Sequence, residues 1–152
     1  MRILGVRVSP TVSSFIVYCT DTGQLVCSDV INIPATLDTP EKLKYVRNNI
    51  LDILRFYEVD IASIRVTEAN SKNLSIDRLY IEAVIQEAFS SSEVKKYITI
   101  RKNSIKSALN LNENDYKLFL KSEKKLKNID NSQYTQETNE ALLAALAAEA
   151  KL

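Results

Sequence analysis

Three runs of alternating apolar and polar residues, separated by short turn sequences, fill the chain from Arg2 to Ile33. Such alternation has the two-residue period of a half-buried strand. Arg2 to Val8 is the first run, and Ser13 to Thr20, with Phe15, Ile16, Val17 and Tyr18, is richer still in β-branched and aromatic residues. The third run, Gln24 to Ile33, follows the Asp21-Thr22-Gly23 turn and is closed by Pro34. A three-stranded antiparallel meander is predicted. Whatever follows must then cover the apolar faces of this sheet or extend its edge.

The rest of the chain switches to helical periodicity and back. Thr39-Pro40-Glu41 predicts a helix start, with a hydroxyl cap, proline in the first turn and an acid facing the positive end of the helix dipole. Leu43, Val46, Ile50, Ile53, Leu54 and Tyr57 then share one face. Ile61 to Thr67 predicts a fourth strand ending at Glu68, and Ser75 to Phe89 a second helix, on which Asp77 and Glu82 are read as solvated. Tyr97 to Ile100 is a short fifth strand and Arg101 to Leu109 a short helix. A lysine-rich, helical insertion is expected at about 110–131, and an alanine-rich helix over Thr138 to Leu152. A meander followed by alternating helices and strands implies an α/β fold, with a five-stranded mixed sheet flanked by helices. The expected core includes Leu4, Val6, Phe15, Val17, Val46, Ile50, Ile64, Val66, Val84 and Leu142.

The length of 152 residues suits one domain, 1–152, and 45% hydrophobic residues suffice for a core. With 20 basic and 19 acidic side chains, no global field commits the chain to nucleic acid or an anionic membrane. The sequence has no histidine, which excludes Ser-His-Asp and Cys-His catalysis and histidine-ligated metals. Acid, base or metal chemistry must rest on carboxylates. No glycine-rich nucleotide-binding loop is present. The N-terminus reads neither as a secretion signal nor as a membrane span, so a cytoplasmic location is expected, with Cys19 and Cys27 as free thiols.

The element order β-β-β-α-β-α-β-α resembles the ribonuclease H-like fold, and local sequences look like its RuvC branch. Arg2-Ile3-Leu4-Gly5-Val6-Arg7 is similar to that family's first strand, which leads to a metal-binding aspartate; here Arg7 stands at that place. Ile64-Arg65-Val66-Thr67-Glu68 resembles the strand ending in a catalytic glutamate, and the following Lys72-Asn73 also fits. Ile98-Thr99-Ile100 with Ser104-Ile105-Lys106 is similar to the fifth strand and its lysine-bearing helix. Glu137 and Glu140 stand where the family's last helix carries two aspartates. A small uncharacterised bacterial family of similar layout is an equally close comparison, and brings a fold without an activity.

The resemblance implies a Mg²⁺- or Mn²⁺-dependent nuclease with Glu68, Glu137 and Glu140 as catalytic and metal-binding residues. Against this, Arg7 removes the carboxylate that bridges both ions, and a guanidinium repels the cations it replaces. Arg7 is expected instead to pair with Glu68 at a degenerate site. Three functions stay open. The first is a catalytically impaired, nucleic-acid-associated binding module contacting DNA or RNA through Lys72, Lys102, Lys106, Lys121, Lys124 and Lys125. Against it, Glu113, Asp115, Glu123 and Asp130 dilute the basic segment. The second is an active nuclease. The third is an interaction subunit, binding a homodimer mate or partner protein through residues 116–126 or the leucine face of the C-terminal helix.

Overall fold

The structure is a computed structural model covering residues 1–152. Its strands are β1 (Arg2–Val8), β2 (Val12–Cys19), β3 (Gln24–Asn32), β4 (Ile61–Arg65) and β5 (Lys96–Ile100). They form one sheet in the order β3-β2-β1-β4-β5. The first three pair antiparallel, while β1, β4 and β5 run parallel. The predicted mixed sheet and its meander are both present.

Alternation along the strands sorts side chains between two helical layers. Leu4, Val6 and Val8 of β1 and Ala62 and Ile64 of β4 join one core, against α1 (Thr39–Phe56) and α2 (Ile76–Ser90). Ile3 of β1 and Ile61 of β4 join a second core on the opposite face. There the sheet meets α3 (Lys102–Leu109), α4 (Glu113–Leu120) and α5 (Gln136–Ala150). Gly5 and Arg7 keep phase with Ile3, so they point to the α5 side.

Contact between β1 and α5 is unusually close. A Cβ at Gly5 would lie 2.0 Å from the Ala141 carbonyl oxygen and 2.9 Å from the Ala145 Cβ. Glycine on the strand and alanines on the helix are what allow this approach. Every residue of α5 from Thr138 to Ala148 is buried, as befits a helix that is apolar almost all round.

Several expectations need correction. The cap of α1 is Asp38, not Thr39, in a capping box whose Asp38 carboxylate accepts from the Glu41 N–H while the Glu41 carboxylate accepts from the Asp38 N–H. Helix α5 starts earlier than Thr138, capped by Thr135. Within 110–131 only α4 is helical; the chain then turns through Ser122, Lys127 and Asn128, all at positive φ. Val84 is half-buried at the margin of the core, the other nine expected core residues being buried. The two surfaces assigned to a partner face inward: Leu142, Leu143 and Leu146 are fully buried, Phe119 is fully buried, and Leu126 packs on the same core. Cys19 and Cys27 are free thiols, and Cys27 Sγ accepts a hydrogen bond from the Tyr57 hydroxyl at 3.1 Å. No helix is long and apolar enough to cross a membrane.

Candidate functional site

Parallel sheets offer their ligand sites at the carboxyl ends of the strands. β1 and β4 are adjacent and in register there, so Arg7 is the direct neighbour of Arg65. Both side chains lie on the α5 side of the sheet, in phase with Gly5 and Ser63. The close seating of α5 on Gly5 brings Glu140, one residue before Ala141, over the same end.

One carboxylate oxygen therefore faces two guanidiniums. Glu140 Oε2 lies 3.2 Å from Arg7 Nε and 3.5 Å from Arg65 Nε, and the three side chains are only 6%, 10% and 5% exposed. Neither Nε–H is directed well enough at the oxygen to count as a hydrogen bond, so these contacts are chiefly Coulombic. Arg7 Nη1 donates to the Arg65 carbonyl at 3.1 Å, and Arg65 Nη1 donates to the Val66 carbonyl. Tyr116, from α4, adds a buried hydroxyl with no partner. Burial, reinforced by Glu140, raises the Tyr116 pKa, while desolvation outweighs the attraction of Glu140 and lowers that of Arg7.

Glu68 sits where this cluster meets solvent. Its side chain is 34% exposed and lies 3.7 Å from Arg65 Nη2. The expected Arg7–Glu68 pair is thus replaced by Arg7–Glu140 and Arg65–Glu68. The reason is helical: α5 delivers Glu140 directly above Arg7, whereas Glu68 lies three residues beyond Arg65 on the other strand. Glu137, half-buried on the first turn of α5, makes no ion pair. Glu68 and Glu140 come together only through Arg65, and no three acidic or cysteine side chains gather as a metal site would require.

The approach to Glu68 is braced by a residue read as solvated in the sequence. Glu82 is 3% exposed, and its carboxylate accepts from the Thr67 N–H at 3.1 Å and the Thr67 hydroxyl at 2.7 Å. Arg78, also on α2, donates to the Val8 carbonyl at 2.7 Å, and Arg101, at the start of α3, to the Thr67 carbonyl at 2.9 Å, fastening the ends of β1 and β4.

The lysines divide into two sets. Lys102 and Lys106 both bind Glu113, at 2.5 and 2.8 Å, and hold its pKa down at about 2. Lys124 lies 3.4 Å from Asp115. Lys72, Lys121 and Lys125 are exposed and form no ion pair. Sequence reasoning passed over Arg65, Tyr116, Glu82 and Arg101. The strand phase shared by Ile61, Ser63 and Arg65 was the available signal for the first.

No family model and no curated protein matches the chain. Solved structures do. The structure of RuvC from Thermus thermophilus aligns with 99% of this chain and 94% of its own, at TM-score 0.78 and 13% identity. The fold is RuvC-like. The same protein in complex with a Holliday junction substrate aligns at TM-score 0.76 with 14% identity, again over 99% and 94% of the two chains. The yeast mitochondrial Holliday junction resolvase aligns at 0.61 with 11% identity, over 99% and 82%. The ribonuclease H-like architecture inferred from element order is therefore present across the chain.

A nuclease of this architecture would use a divalent metal, and the side chains here suit one poorly. Mg²⁺ and Mn²⁺ take hard oxygen ligands. The strand end instead offers two guanidiniums, with unpartnered N–H groups, held against the buried Glu140 carboxylate, while the other buried carboxylate, Glu82, is taken up by Thr67. A cation placed beside Glu140 would compete with two fixed positive charges.

Proposed function

We propose that the chain is a catalytically impaired RuvC-like domain that binds nucleic acid, DNA or RNA, without cleaving it. The observation that carries this reading is the occupation of adjacent strand ends by Arg7 and Arg65, with Glu140 drawn between them. In a two-metal nuclease the cations stabilise the attacking and leaving oxygens. Fixed guanidiniums can bind a phosphate, but they neither activate a water by metal coordination nor exchange ligands. The structural likeness to a RuvC bound to a junction supports nucleic acid as the partner. Exposed Lys72, Lys121 and Lys125 are assigned supplementary contacts to the backbone; Lys102, Lys106 and Lys124 serve first to hold Glu113 and Asp115. We place the protein in the cytoplasm, where its two free thiols are stable.

The test is a paired assay on four-way junction, duplex, single-stranded and RNA–DNA hybrid oligonucleotides. Binding is followed by fluorescence anisotropy in EDTA, and cleavage on denaturing gels with Mg²⁺ or Mn²⁺. Saturable binding to at least one substrate without strand scission is expected. Scission that Glu68→Gln abolishes would replace this reading with an active nuclease using Glu68, Glu137 and Glu140, and absence of binding to every substrate would end it.

A further inference from the structure

The cluster at the ends of β1 and β4 holds more donors than its own acceptors use. Arg7 Nε, Arg65 Nε and the Tyr116 hydroxyl are buried without a hydrogen-bond partner. Both Nε–H groups are closed to solvent and already face the Glu140 carboxylate at 3.2 and 3.5 Å, so an acceptor that arrives from outside must meet the outer nitrogens of the two guanidiniums. The Nη2 groups of both arginines also make no hydrogen bond, and neither is sealed from solvent.

The two acids differ in how firmly they are held. Glu140 projects from a helix that is packed on every side, at 3.2 and 3.5 Å from the two guanidiniums. It neutralises one of the two positive charges permanently. The nearest acid to the other is Glu68, which follows the strand end, is a third exposed, and lies 3.7 Å from Arg65, beyond hydrogen-bond distance. Arg101 follows Ile100, the β5 residue in register with Arg65, and is exposed apart from its Nε, which donates to the carbonyl of Thr67, the residue before Glu68.

We infer that Arg65, with Arg7 behind it and Arg101 at its rim, is a metal-independent seat for one backbone phosphate of a nucleic-acid strand, and that Glu68 is the anion this phosphate displaces. The inference rests on the reading of the chain as a nucleic-acid binder and names the contact that binding would use. A phosphate accepts one charge-assisted hydrogen bond from the Nη2 group of each guanidinium, Arg65 and Arg7. Glu68 swings into solvent at little cost because it is already partly hydrated, while Glu140 keeps the second guanidinium neutralised. Glu68 thereby acts in the opposite sense to a metal ligand: it opposes the ligand.

That opposition gives a test with a sign. Anisotropy titrations in EDTA compare wild type with Glu68→Gln, Arg101→Gln and Arg65→Met, each checked for folding by circular dichroism. Glu68→Gln should bind the oligonucleotide more tightly, by about threefold or more, because a competing carboxylate is removed. Arg101→Gln removes one charge near the strand end; with its melting temperature compared with wild type to separate any loosening of the Thr67 bond, it should weaken binding and lower the slope of log affinity on log salt by about one phosphate contact. Arg65→Met should weaken it most, by about tenfold or more. Oligonucleotide binding that none of the three substitutions changes would overturn the phosphate seat while leaving the nucleic-acid reading in place. If wild type and Glu68→Gln bind no oligonucleotide, the nucleic-acid reading fails by itself, and titration with inorganic phosphate decides the seat. Saturable thermal protection that is stronger in Glu68→Gln and lost in Arg101→Gln would uphold it, and none would refute it.

Discussion

Glu140→Gln isolates the energetics of the arginine cluster. The substitution keeps the shape of the side chain and removes one charge, leaving Arg7 and Arg65 adjacent, buried and without their shared counterion. Breaking a buried ion pair from one side costs about 3–5 kcal/mol, because the remaining charge stays desolvated. Screening offers little relief, since the three side chains are at most 10% exposed. At roughly 2–4 °C per kcal/mol for a domain of this size, the melting temperature should fall by roughly 6–20 °C. Urea denaturation followed by circular dichroism measures the loss directly. Arg7→Met alone should also destabilise, since it removes half of the counterion's partners. The double variant Arg7→Met, Glu140→Gln should be less destabilised than the sum of the two, because each substitution removes the partner whose loss makes the other costly. A Glu140→Gln loss below about 1 kcal/mol, or strict additivity in the cycle, would show that the cluster is hydrated and that its charges are not coupled as the geometry requires.

Gly5→Ala should destabilise by about 1–3 kcal/mol or more, because its Cβ would meet the Ala141 carbonyl at 2.0 Å and α5 would have to move; a denaturation midpoint equal to wild type would refute the contact. Glu113, held at about 2 by Lys102 and Lys106, binds fewer protons folded than unfolded, so its contribution is present above its ordinary value of 4.5 and disappears as pH falls toward 2. Wild type should accordingly lose more stability than Glu113→Gln across that interval, and parallel pH profiles would contradict the assignment. Arg7→Asp should gain no calorimetric Mn²⁺ binding while Arg65 remains, because the second guanidinium still engages Glu140 and repels the ion; saturable binding by this single variant would show that Arg65 yields readily.

The fold was legible because its signals are local and repeated. Alternation from Arg2 to Ile33, the helical spacing from Leu43 to Tyr57 and the short strand at Tyr97 each specify an element without reference to the others. Errors arose where a tertiary or capping choice decides. Asp38 and Thr39 are both good cap residues, and only the reciprocal bond with Glu41 selects the first. The apolar stripes of α4 and α5 read equally well as partner surfaces or core faces in one dimension, and the sheet claims both.

The site was legible in half. The family resemblance singled out Arg7, Glu68, Glu137 and Glu140, and the structure brings Glu140 to Arg7 and Glu68 to Arg65, a pairing that no sequence position specifies. Parity along β4 puts Arg65 on the same face as Ile61 and Ser63, but its meeting with Arg7 requires the β1–β4 register, which no local pattern specifies. Once that register is given, the choice of partner follows. The two guanidiniums stand side by side and repel one another, so the carboxylate that reaches both is favoured over one that reaches a single strand. α5 can supply it because Gly5 lets the helix descend onto the sheet. A glycine four residues from the chain start thus determines which acid neutralises Arg7, and Glu68 is left at the surface, weakly held.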